Sequence, residues 1–79
     1  MRDDAQIAAD GLRRALAALD NNQSALAKIC GCTQGAVWQM LNRPQPRLSA
    51  QYVIRVEMAL GIPRHELRPD FYPAEPVPA

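Results

Sequence analysis

Between Gln23 and Asn42 the chain reads QSALAKICGCTQGAVWQMLN, two short apolar stripes hinged on one glycine, and no other segment restricts the possible folds as much. Leu26, Ala27 and Cys30 fall on one face of a helix that starts at Gln23, with Asn22 as its N-cap, and runs to about Cys30. Gly31 stops it, because glycine enters the left-handed conformation without a Cβ penalty. Thr33 then caps a helix over Gln34–Leu41, whose apolar face is Val37, Met40 and Leu41. Two such helices pack closely at a steep angle only if the first carries a small residue at the crossing, and Ala27 supplies it. Leu26, Cys30, Cys32, Val37 and Met40 fill the space between them. Segment 23–42 therefore predicts a helix-turn-helix, with Ala27, Gly31, Val37 and Met40 as its structural positions.

The remaining segments also read as helical. Ile7, Leu12, Ala15, Leu16 and Leu19 make a one-faced stripe over about Asp4–Leu19, with Asp3 or Asp4 as the cap. Gly11 weakens its middle by about 1 kcal/mol relative to alanine, so a shorter helix starting at Asp10 is the alternative. Asp20-Asn21-Asn22 breaks the pattern, and Asn42-Arg43-Pro44-Gln45-Pro46 is a loop because its prolines exclude helix and central strand alike. Ser49 is the expected N-cap of a helix over Ala50–Leu60, with Val53, Val56, Ala59 and Leu60 inward, Tyr52 and Ile54 flanking, and Gly61 as its stop. Pro63 precedes a last short helix, about Arg64–Arg68, that Pro69 ends. No stretch alternates with period two. The expected fold is all-α: five short helices in one domain over residues 1–72, followed by a proline-rich tail, 73–79, read as extended or disordered.

Several functions are excluded by what 79 residues hold. No apolar run reaches the roughly 18–20 residues a membrane helix needs. Met1-Arg2-Asp3-Asp4 is charged on both signs and lacks an apolar signal core, so a cytoplasmic protein is expected. Cys30 and Cys32, one residue apart, suit neither an ordinary disulfide nor a four-ligand zinc site and read as core. His65 is the only histidine, and its neighbour Glu66 points elsewhere on a helix, so the two form no dyad. There is no phosphate loop, nucleophile motif or metal spacing, hence no expected enzyme, cofactor or metal.

The net charge of +1 hides an asymmetry. From Asn21 to Val56 the charged residues are Lys28, Arg43, Arg47 and Arg55, with no acid, giving +4 against −1 before and −2 after this stretch. A basic middle between acidic flanks is the pattern of an anion-binding surface. The glutamine-bearing second helix of the motif then points to DNA, whose major groove such a helix enters by its N-terminal part.

Segment 23–42 resembles the helix-turn-helix of the Cro/CI family of phage and bacterial repressors. Ala27, Gly31, Val37 and Met40 stand where that motif has them, with Gln23 opening one helix and Gln34 the next. The end, Glu66-Leu67-Arg68-Pro69-Asp70, resembles the small YdaS/Cro-like branch, many of whose members are prophage-encoded; the resemblance covers roughly residues 12–72. It implies a lambda-repressor-like DNA-binding domain, bacterial or phage-encoded, in which Gln23 and Gln34 pair and Gln23 touches a phosphate. Cys30, Cys32 and Gly35 depart from the family pattern.

Base contacts are expected from Gln34, Gly35, Trp38 and Gln39, because a glutamine amide bonds adenine in bidentate fashion and Trp38 lies outward. Phosphate contacts are expected from Gln23, Thr33, Asn42, Arg43, Arg47, Ser49 and Gln51. The partner is then a double-stranded operator bound by a homodimer. Pro69, Pro73, Pro76 and Pro78 oppose a C-terminal pairing strand, so Leu67, Phe71 and Tyr72 are the candidate dimer contacts. A second class stays open: an antitoxin-like module whose tail covers a toxin.

Overall fold

Asp3 opens the first helix by accepting the backbone N–H of Gln6 on Oδ1 at 2.8 Å. Two later helices start the same way: Asn22 accepts from Ala25 N–H and Thr33 from Ala36 N–H, both at 3.1 Å. Each such cap contributes about 1 kcal/mol. The computed structural model describes residues 3–73. In chain order it has α1 (Asp4–Ala17), α2 (Gln23–Cys30), α3 (Gln34–Leu41), a single 3-10 turn (Ala50–Tyr52), α4 (Val53–Leu60) and α5 (Arg64–Leu67). The fold is all-helical, with no strand among the described residues. No helix among them is long and apolar enough to cross a membrane. The tail beyond Pro73 lies outside the described residues.

Glycine and turn chemistry set the other ends. Gly31 and Gly61 close α2 and α4 at φ 75° and 72°. α1 stops at Ala17, two residues before the expected Leu19. Beyond it Asp20 and Asn21 both adopt positive φ, 56° and 60°, and Asn21 N–H bonds back to Leu16 C=O at 2.7 Å. Asp and Asn tolerate this conformation better than other side-chain-bearing residues.

The core is formed by Leu12, Leu26, Cys30, Val37, Val53, Val56 and Leu67, joined from the proline loop by Leu48. α1 does not restart at Asp10; it runs straight through Gly11. A Cβ on Gly11 would lie 2.1 Å from the Glu66 carbonyl oxygen and 3.2 Å from Leu67 Cα. The glycine that weakens α1 is what lets α5 lie against it.

Three further expectations are corrected. Ser49 caps nothing: its N–H and hydroxyl both turn to Met40 Sδ, at 3.3 and 3.5 Å, and the chain begins its next helix with the 3-10 turn. Ala59 is exposed rather than inward, while Val53 and Val56 are buried as expected. Leu67 is fully buried in the core, so it is not available as a dimer contact.

Candidate functional site

α3 divides cleanly by face. Val37 and Met40 are buried in the core, Leu41 packs half-buried against it, and Ala36 is half-buried. Gln34, Gly35, Trp38, Gln39 and Asn42 are all exposed, and their spacing puts them on one stripe. Trp38, at 56% exposure, is therefore not a core tryptophan.

Several contacts hold this stripe in place. Ala27, 4% exposed on α2, provides the small buried residue the helix crossing requires. The turn is closed by bonds from Gly31 N–H and Cys32 N–H to Ala27 C=O, at 2.8 and 3.0 Å. From α4, Arg55 Nη1 donates to Cys30 C=O at 2.9 Å, across a glycine where a Cβ would fall 2.5 Å from that nitrogen. This cation satisfies a carbonyl at the negative end of α2. Burial, reinforced by neighbouring Cys32, pushes the Cys30 thiol up to about 12, so it carries no thiolate at neutral pH. Both cysteines are free, Cys30 buried and Cys32 half-buried.

The glutamine pairing implied by the resemblance is replaced. Gln34 Oε1 accepts from Ser24 Oγ at 3.2 Å, not from Gln23, leaving the Gln34 amide N–H groups unpartnered among the described residues. Asn42 uses its Nδ2 to cap α3, donating to Trp38 C=O at 2.9 Å. Gln39, Arg43 and Gln51 are exposed; Gln23 and Arg47 are half-buried.

Ion pairing separates the charges more sharply than the sequence does. Arg13 pairs with Asp10 at 3.4 Å, Arg64 with Glu57 at 2.7 Å, Arg68 with Asp70 at 2.7 Å, and Arg14 with Glu66. These arginines all lie outside segment 21–56. Within it, Lys28, Arg43, Arg47 and Arg55 have no carboxylate at ion-pair distance among the described residues. Arg47 is partly compensated, since it lines a cleft of about 220 Å³ with Asp4 and Asp70. Arg43 is not: with Pro44, Gln45 and Arg47 it borders a shallower hollow of about 250 Å³. Arg68 is a structural support that sequence reasoning missed. It is 7% exposed, bidentate on Asp70, and donates to Leu48 C=O at 3.0 Å, pinning the end of the proline loop. Only its place beside Asp70 in sequence hints at this.

The chain is thus a small all-helical domain with one exposed face on α3 and, in segment 21–56, cations without a carboxylate at ion-pair distance among the described residues. A family model described as Bacterial toxin YdaS matches residues 12–76, and the chain belongs to that family. No curated protein and no solved structure matches it.

Proposed function

We propose that this chain is a sequence-specific DNA-binding regulator of transcription of the Cro/CI helix-turn-helix type, which sets α3 in the major groove and occludes a promoter as a dimer. The exposed face of α3 carries the reading. It is uncharged, bears two glutamine amides and an indole, and lies on a helix fixed by Ala27, Gly31 and Arg55. Amides read base edges, whereas cations hold phosphates; Arg43 and Arg47 follow α3 directly in the chain. The Thr33 and Gln23 positions add helix starts that favour phosphate oxygens.

A gel shift on genomic fragments over a salt series tests this. Binding weakens steeply with salt, and Gln34→Ala costs about 1–3 kcal/mol on the preferred fragment and little on random DNA. Equal losses on both remove Gln34 from base readout.

A second reading has its own support. The family is described as a bacterial toxin, and Met58 on α4 is 81% exposed, an apolar group that lies outside the α3 face. In that reading the chain is the antitoxin-like interaction module of a toxin–antitoxin system and also binds DNA to regulate itself. Its expected signature is growth inhibition, or relief of it, that survives Gln34→Ala and is lost in Met58→Glu.

A further inference from the structure

The chain has four glycines, and the fold accounts for three of them. Gly31 and Gly61 hold positive φ, and Gly11 admits the Glu66 carbonyl. Gly35 is different. It is exposed, its φ is not positive, and a Cβ there would meet only Thr33 Oγ1, at an ordinary 3.8 Å. Alanine would fit and would stabilise α3, so nothing inside the chain calls for glycine at this position.

The surroundings of Gly35 show what the open space suits. Trp38 and Gln39 lie three and four residues on, on the same face, and Gln34 lies beside it. Helical side chains lean toward the N-terminus, so the Trp38 side chain sets out toward the turn that holds Gly35. No Trp38 side-chain atom comes within 4 Å of the Cβ position, so room for a methyl group lies open above bare backbone on the face that Trp38 shares. The notch carries no charge, has the Thr33 hydroxyl at its edge and is flanked along α3 by two amides. A phosphate would find no cation on this face.

Building on the DNA reading above, we propose that this notch receives the 5-methyl group of a thymine whose paired adenine is held by the amide of Gln34 or Gln39. Thymine is the base that presents a methyl group in the major groove, and adenine is the base whose N6 and N7 match a glutamine amide. A single A·T pair offers both features side by side. An alanine at position 35 would put its own methyl in the space that the thymine methyl takes.

The test starts from a duplex selected by the wild-type protein out of a random DNA pool. Each thymine of that duplex is replaced in turn by uracil, which lacks only the methyl. Wild-type affinity should fall about fourfold at one position, the effect of leaving one methyl group unburied. Gly35→Ala should melt at a higher temperature, bind the thymine duplex more weakly than wild type does, and no longer distinguish uracil at that position. Trp38→Ala should lose the same discrimination without the gain in melting temperature. Wild-type affinity indifferent to every uracil overturns the notch, as does Gly35→Ala binding with full affinity and unchanged thymine preference. A lower melting temperature for Gly35→Ala would show that the fold needs this glycine and would overturn it too. Failure of the wild type to enrich any duplex overturns the DNA reading itself, and the notch with it.

Discussion

Gly11 admits no side chain because the Glu66 carbonyl already occupies the place of its Cβ. Backbone cannot swing aside as a flexible side chain can, so Gly11→Ala should force α1 and α5 apart and cost about 1–3 kcal/mol or more, despite alanine's better helix propensity. Thermal melts against wild type check this; a variant of unchanged or higher stability would mean that the helices do not meet there. From the sequence Gly11 reads only as a weak point, because its reason lies in a residue at the far end of the chain. Arg68 is opaque for the same cause, its burial resting on the Leu48 carbonyl of a distant loop. Ala27 is legible, since the turn that demands a small residue there is only four positions away.

At the scale of elements, α2 and α3 have the spans read from the sequence, because every signal that sets them is local: Asn22, Gly31 and Thr33 act within one turn of their own helix. The start of α4 was not legible. Ser49 has the chemistry of a cap, but Met40 Sδ draws both its donors, and that contact exists only once α3 is folded. The site was read in outline, as an outward Trp38 and two glutamines, whereas the commitment of Asn42 Nδ2 and Arg55 to helix-end carbonyls was not. Among the cations, Arg43 and Arg47 should differ. If both meet phosphates, each Ala substitution flattens the dependence of log K on log salt by up to about 0.9. Arg43→Ala should approach that limit and Arg47→Ala fall short of it, because Asp4 and Asp70 already oppose the Arg47 charge. Equal slopes would mean that the cleft carboxylates do not act on Arg47.

Across the molecule, the flank arginines hold its ends together. Arg14 on α1 reaches Glu66 on α5, Arg64 reaches Glu57, and Arg68 joins Asp70 to the proline loop. The hydrogen-bonded Arg64 guanidinium holds the Glu57 carboxyl below its ordinary 4.5, and Arg68 holds that of Asp70 below 3.8. A carboxylate whose folded pKa is depressed contributes stability above its unfolded pKa and loses it as pH falls through the folded one. The melting temperature should therefore hold down to about pH 5 and drop below it, chiefly beneath these two ordinary values. Both carboxylates are partly open to solvent, so the drop should shrink in high salt. Asp70→Asn should melt lower at pH 7 and show a shallower acid limb; an acid limb of wild-type steepness would place the linkage elsewhere.

Assembly remains, and the burial of Leu67 narrows it. Of the three residues expected at a dimer contact, Tyr72 is half-buried, packed on the core with Arg64 5.6 Å from its ring centroid, and only Phe71 stands out, at 59% exposure. Arg68 lies 4.7 Å from the Phe71 ring centroid, a cation–π contact that restrains the exposed ring. A restrained, exposed aromatic loses little conformational entropy on contact, which favours it as an anchor between two copies. Under the DNA-binding function proposed above, one recognition helix would cover about half a site and a single small module would bury too little DNA for tight specific binding, so the proposal calls for two copies on adjacent half-sites. The contact need only be weak, because neighbouring half-sites raise its effective concentration. Phe71→Ala should thus leave the melting temperature of the free chain nearly unchanged while binding to a two-half-site duplex loses its cooperativity. Tyr72→Ala should instead lower the melting temperature. Sedimentation of wild type and Phe71→Ala, free and on DNA, reads both effects; one wild-type monomer bound tightly to an asymmetric site would overturn the dimer.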